Sequence, residues 1–244
     1  MQEPQSRAPG SGAADPGVDI VVPVFNEGEV IDAFYERIDR LGLADGLIFV
    51  DNASTDDTVA RIERYPRARL IRHATNEGYG KSIRDGMLAA RRAVIVTIDA
   101  DLEYPPEAIP ALLEALHHTP VVFCSRFHAG APAMPLFRRI GNRLISGLFN
   151  RLFGQRVTDI YTGMRGMRRG AIDVARLHRD GFEFCADYAI LLTEAGHTID
   201  EIGVEYTPRE VGHSKMRHIP ETTKLLAFLV AAWLDWVRRG RPRG

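Results

Sequence analysis

Two carboxylates, Asp99 and Asp101, stand one residue apart at the end of the apolar run Val94-Ile95-Val96-Thr97-Ile98, and Glu103 follows two positions later. Acids that close together repel unless a cation lies between them. Mg²⁺ and Mn²⁺ take oxygen ligands and keep positions open for phosphate oxygens, so this pair, completed by Glu103, can hold a metal bound to a diphosphate. Such an ion would neutralise charge on a departing diphosphate. The same residues can instead cap the helix that follows Pro105-Pro106, and Asp-x-Asp alone matches many unrelated chains.

Apolar, β-branched runs predict strands over 19–25, 47–51, 69–73, 93–99 and 120–126, and helical patterns fall at 56–65, 81–91 and 106–118. Alternation of this kind is the signature of βαβ units: an α/β fold with a mostly parallel, Rossmann-like sheet and flanking helices. Thr55 or Asp56 is a suitable N-cap for the first of these helices, and Pro106 suits a first helical turn. Ligands of open parallel sheets bind beyond the carboxyl ends of the strands. Those ends carry residues 23–27, 51–54, 99–103 and 125–126. Gly78-Tyr79-Gly80-Lys81 fits neither a P-loop nor a dinucleotide fingerprint, and reads as a packed helix N-terminus. Beyond 126 the pattern is less regular: a Gly/Ala/Pro loop over 128–135, a helix over 136–153, a last strand over 204–206, a basic loop over 208–220 and a final helix over 221–239.

The 244 residues, 45% of them hydrophobic, suit one large domain better than two small cores. The expected division is a disordered leader over 1–17, a main domain over 18–218, and an amphipathic helix with a basic tail over 219–244. The leader has no apolar run of the kind a signal peptide needs. A net charge of −1 offers no field for nucleic acid, so DNA and RNA are excluded as partners. The two cysteines, Cys124 and Cys185, are far apart and read as buried thiols in a reducing compartment, which points to the cytoplasm. The eight histidines have no zinc-ligand spacing.

Taken in order, Val21-Val22-Pro23-Val24-Phe25-Asn26-Glu27, Val50-Asp51-Asn52-Ala53-Ser54-Thr55-Asp56-Asp57-Thr58, Asn76-Glu77-Gly78-Tyr79-Gly80-Lys81 and Asp99-Ala100-Asp101 resemble the motifs of family-two inverting glycosyltransferases with the GT-A fold. Ser125-Arg126, Thr162-Gly163-Met164-Arg165 and Arg209-Glu210-Val211-Gly212-His213-Ser214-Lys215 continue the series, the last being similar to a loop of polyprenyl- or dolichol-phosphate sugar synthases. The resemblance implies a transferase that moves mannose or glucose from GDP-mannose or UDP-glucose to a polyprenyl or dolichyl phosphate, using Mg²⁺ or Mn²⁺ held by Asp99, Asp101 and Glu103. It further implies that Pro23, Phe25, Glu27, Val50, Asp51, Asn52, Asp99, Ala100, Asp101 and Glu103 line the donor, with Arg126, Arg138, Arg209 and Lys215 around its phosphates. A carboxylate can accept from a base or ribose, and Arg forks suit phosphate oxygens. The family usually shows two aspartates where this chain has Asp51-Asn52.

Glu183 and Asp187 lie four apart and share a face if helical. With Asp101 they are the catalytic candidates. Asp187, at the start of a helix expected over 188–195, would be the general base for a hydroxyl acceptor. It can equally be that helix's N-cap, and a lipid phosphate, already anionic, needs no base. Two other readings therefore stand beside transfer to lipid: a transferase to a soluble or cell-envelope hydroxyl, and a non-catalytic nucleotide-sugar binding protein.

Ile140, Leu144, Leu148, Phe149 and Leu152 fall at helical spacing among Arg138, Arg139, Arg143 and Arg151. A helix of this kind can lie on an anionic membrane or face the core. The apolar stretch 225–234 is too short to span a bilayer. Trp233, Trp236 and the basic tail suit peripheral contact with the cytoplasmic membrane face, or burial in a homo-oligomer.

Overall fold

The computed structural model describes residues 15–128, 134–208 and 218–240. Seven strands form one sheet in the order β3-β2-β1-β4-β6-β5-β7. They are β1 (Asp15–Val24), β2 (Leu47–Asp51), β3 (Arg69–Arg72), β4 (Arg92–Thr97), β5 (Val121–Ser125), β6 (Arg165–Arg168) and β7 (Asp200–Gly203). All neighbours run parallel except at β6, which lies antiparallel between β4 and β5. The carboxyl ends of β1, β2, β4, β5 and β7 consequently share one edge, and there the amino end of β6 meets them.

The helices are α1 (Gly28–Arg40), α2 (Thr58–Ile62), α3 (Tyr79–Ala89), α4 (Ile109–Ala115), α5 (Leu136–Phe153), α6 (Phe184–Glu194) and α7 (His218–Arg238). They cover both faces of the sheet. Ile31, Phe34 and Ile38 of α1 join Ile62 of α2 and Ile109 and Leu112 of α4 in one core, with Ile20, Val22 and Phe49 beneath them. Val21, Ile48 and Val50 point the other way, into a core built with Ile83 and Met87 of α3, Ile145 and Phe149 of α5, α6, and Leu229 of α7. Alternate residues of one strand feed opposite cores, as the period of two requires. With both faces covered, β2 and β5 are buried along their whole lengths.

Several boundaries differ from the sequence expectations. Residues 15–17, expected in the leader, belong to β1. The last strand is Asp200–Gly203 instead of 204–206, because pairing with β5 captures the more polar segment. The α6 helix begins at Phe184, so Asp187 sits within its first turn and Glu183 is the N-cap. Two elements, α1 and β6, go beyond the sequence expectations.

Candidate active site

Three loops at the shared edge leave their strands through left-handed backbone. Asn26 has φ 53°, Ala53 φ 64° and Leu102 φ 61°. Asn tolerates that region, whereas for Ala and Leu it costs on the order of 1–3 kcal/mol. The strain thus sits at two of these strand ends, after β2 and β4.

The first two loops are tied together. Asn26 donates its backbone N–H to Ser54 Oγ at 2.9 Å, and its Oδ1 accepts from Thr55 N at 2.7 Å. Glu27, the N-cap of α1, donates its N–H to Thr58 Oγ1 at 2.8 Å. Asp51 is almost fully buried and accepts from Ser54 N at 3.2 Å. Asn52 uses both ends of its amide: Nδ2 donates to Asn76 Oδ1 at 3.0 Å, and Oδ1 accepts from Glu77 N at 2.8 Å and faces His73 Nδ1 at 3.2 Å. An aspartate lacks the donor that Asn76 needs, which accounts for asparagine at this position. Phe25 and Pro23 are half-buried beside these groups, while Val50 and Ala100 are core side chains that offer a ligand only backbone.

Beyond β4, Asp101 Oδ1 accepts from Glu103 N at 3.1 Å. Asp99 Oδ1 accepts from the Tyr79 hydroxyl at 3.1 Å. Gly163 leaves room for the other oxygen, since a Cβ there would stand 2.3 Å from Asp99 Oδ2. Burial, then the Asp101 carboxylate, with a smaller push from Glu103, raises the Asp99 carboxyl to about 8, against the pull of Arg165 and the Tyr79 hydrogen bond. Crowded, oxygen-only donors of this kind fit a hard divalent cation that draws its remaining ligands from a diphosphate. The three-carboxylate set is not a ready cage: among the described residues no three His, Cys, Asp or Glu side chains group to hold a metal. Burial, with the nearby Glu103 carboxylate, pushes the Tyr206 hydroxyl up to about 12. On its far side Asp101 borders a cavity of about 280 Å³ that runs against Glu29 and Arg37 of α1 and ends at Thr207 and Pro208.

Arg126 is paired within the fold. Its guanidinium grips Asp159 through two bonds, Nε to Oδ2 at 2.7 Å and Nη2 to Oδ1 at 2.8 Å, and lies over the rings of Tyr104 and Tyr206. Asn142 of α5 adds a bond to Asp159 at 2.7 Å. Burial alone would raise the Asp159 carboxyl, but Arg126 and Asn142 hold it below the ordinary range. Arg138 sits in the first turn of α5 against Phe137, with Nε buried and, among the described residues, without a hydrogen-bond partner. Arg209 and Lys215 lie outside the described residues.

On the other side of Tyr79, Glu183 caps α6 close to Gly181. Asp187 Oδ2 accepts from His178 N at 2.9 Å and Arg179 N at 3.3 Å. Asp187 thereby anchors the loop before α6 instead of capping the helix. That loop packs onto α3, as the glycines at 78 and 80 permit: a Cβ at Gly80 would lie 2.2 Å from the Arg179 carbonyl oxygen. The expectation of a packed helix start holds. What it missed is the Tyr79 hydroxyl, aimed at Asp99. Arg165, at the start of β6, was singled out as part of a motif without a role. It is completely buried between Phe123 and Tyr188 and donates through Nη2 to Cys185 Sγ at 3.0 Å.

The helix α5 resolves its two sequence readings by halves. Phe149 and Phe153 are buried, and Leu148 and Leu152 pack against the same core. Leu136, Phe137, Ile140 and Leu144 are exposed, Leu144 to 69%. Against this core α7 packs Leu229, Phe228 and Trp233, and Trp236 meets Phe153 at 5.3 Å, while Leu226, Val230, Leu234 and Val237 remain exposed. Among the described residues no helix is long and apolar enough to cross a membrane.

Comparison with known proteins gives consistent matches. The model of the family described as glycosyl transferase family 2 matches residues 19–175. A dolichyl-phosphate hexose transferase of Haloferax volcanii is 33% identical over 201 residues, 81% of this chain and 85% of that protein. An undecaprenyl-phosphate mannosyltransferase of Micrococcus luteus is 28% identical, with 80% of this chain and 86% of that protein covered. An undecaprenyl-phosphate 4-deoxy-4-formamido-L-arabinose transferase of Edwardsiella ictaluri is 30% identical, and the match spans 81% of this chain but 62% of that longer protein. Among solved structures, glucosyl-3-phosphoglycerate synthase from Mycobacterium tuberculosis, in complex with Mn²⁺, UDP-glucose and phosphoglyceric acid, superimposes with a TM-score of 0.67. That match covers 89% of this chain and 80% of the other at 20% identity, a likeness of fold.

Proposed function

Because the chain belongs to glycosyl transferase family 2, we propose that it transfers a hexose, mannose or glucose, from a nucleoside diphosphate sugar to a polyprenyl phosphate, with inversion at the anomeric carbon. The observation that carries the donor half is the crowded Asp99–Asp101 pair at the strand-end edge. A divalent cation bound there would neutralise charge on the leaving nucleoside diphosphate. The Mn²⁺ in the mycobacterial structure supports an ion of this class. Asp51, held by Ser54 N, and the half-buried Phe25 would meet the base and ribose.

The acceptor half rests on the names of the relatives, which pair a sugar with dolichyl or undecaprenyl phosphate, and on α5. Its exposed Leu136, Phe137, Ile140 and Leu144, set among Arg138, Arg139 and Arg143, suit the surface of an anionic bilayer in which a polyprenyl chain is dissolved. The enzyme would then work as a peripheral protein on the cytoplasmic face. A phosphate oxygen attacks without prior deprotonation, so Asp187 can remain the anchor of the loop before α6.

Purified protein, GDP-mannose or UDP-glucose, and liposomes carrying polyprenyl phosphate test this, with Mg²⁺ or Mn²⁺ against chelator. One donor should yield a glycolipid only when cation is present. Product on a soluble hydroxyl with none on lipid would overturn the acceptor assignment. Donor binding with neither transfer nor hydrolysis would make the protein a binder and not an enzyme.

A further inference from the structure

Tyr79 opens α3 beside the proposed cation site, and its ring is held from two sides. It stacks on Phe182 at 5.2 Å and meets Phe184 edge-on at 6.3 Å. That packing needs only the ring. The hydroxyl is aimed beyond it, donating to Asp99 Oδ1 at 3.1 Å. The fully buried Arg165 guanidinium draws the Asp99 carboxyl down, against the burial and the Asp101 carboxylate that raise it. The other Asp99 oxygen, Oδ2, packs against Gly163, where a Cβ would stand 2.3 Å away. The hydroxyl thus holds one oxygen while the glycine makes room for the other.

We propose that Tyr79 is a positioning residue whose hydroxyl fixes the Asp99 carboxylate for binding a divalent cation together with the donor diphosphate. The inference rests on the cation site of the proposed function. It assigns the hydroxyl a task in ligand binding that helix packing does not require.

The test is Tyr79→Phe, which keeps the ring and removes one hydrogen bond to a charged group. Mn²⁺ binding in the presence of GDP or UDP, followed by electron paramagnetic resonance, should weaken about tenfold. Nucleotide binding in chelator and the thermal melting temperature should stay near wild-type values, and in turnover the loss should appear in the Mn²⁺ dependence. A merely structural role would lower the melting temperature and weaken both kinds of nucleotide binding alike, and that result overturns the proposal. So does a Tyr79→Phe protein that binds Mn²⁺ as the wild type does. Should Tyr79→Phe fail to fold, Phe182→Leu retains the hydroxyl but removes the stacking ring. It is expected to weaken Mn²⁺ binding by a smaller factor, and no change would overturn the proposal. If the wild type binds no Mn²⁺ with either nucleotide, the cation role fails and this inference with it. If the wild type binds and the variant matches it, this inference alone fails.

Discussion

Asp99, half-buried, and Asp159, fully buried, are two acids near the same edge of one sheet, and their surroundings drive them in opposite directions. Burial raises both. Around Asp159 the bidentate Arg126 and the Asn142 amide more than offset it, and the carboxyl lies below its ordinary range. Around Asp99 the nearest charge is another carboxylate, Asp101, and the carboxyl rises to about 8. Asp159 has its counter-charge within the fold, joining the end of β5 to α5. Asp99 lacks a sufficient one, although Arg165 lies close. The difference separates a carboxylate with its counter-charge inside the fold from one crowded by a like charge, and it shows Arg126, at a strand end, paired with Asp159.

The sharpest way to break this contrast is Asp99→Asn. If the carboxylate serves the cation and diphosphate, glycosyl transfer should fall by about 10²–10³-fold, the scale of losing one charge-stabilising group in a transition state. The metal-free protein should melt at a higher temperature, because a crowded acid has been replaced by a neutral amide. A variant that keeps its activity while losing stability would place Asp99 in the same class as Asp159.

Asp159→Ala should do the reverse. It leaves the Arg126 cation buried against Tyr104 and Tyr206, a change that costs about 3–5 kcal/mol in other proteins. The loss should be measurable as a shift of the urea midpoint. The sign of the pH effect follows from linkage. A carboxyl whose folded pKa is depressed stabilises the fold fully above the unfolded value of about 3.9, and that contribution is lost as pH falls through the folded pKa. Wild-type stability should therefore drop more steeply than that of Asp159→Asn as the pH is lowered below about 4. Parallel curves would show that the pair contributes no such stability.

How much of this was legible in the sequence depends on whether the deciding contact was local. The α5 helix is written in its own periodicity and spans the residues expected, 136–153. The parallel strands are apolar runs, and Asp99-Ala100-Asp101 takes its meaning from following one of them. By contrast, β6 reads Arg-Gly-Met-Arg, a segment that becomes a strand only because β4 and β5 flank it and because Arg165 finds a buried slot between two rings. The Arg126–Asp159 pair spans 33 positions, and nothing in either neighbourhood announces the other. Tyr79 reads as part of a packed helix N-terminus, but only the fold brings Asp99, 20 residues away, to its hydroxyl.

Asn52 offers the smallest effect and the finest test of finished against unfinished polar groups. It stands on the donor side, where two aspartates are usual in the family, yet its amide is already satisfied at both ends. Asn52→Asp would set a carboxylate against Asn76 Oδ1, replacing a donor–acceptor pair by two acceptors and costing about 1–3 kcal/mol for the buried group left unpaired. His73, facing the same oxygen, can recover part of that loss. The expected result is a modest drop in the urea midpoint with the preference between GDP and UDP unchanged, read by competition of the two nucleotides. A switch in nucleotide preference would move Asn52 from the finished class to the ligand-reading one. Its bonds to Asn76 and Glu77 would then be a resting arrangement that the donor's base displaces.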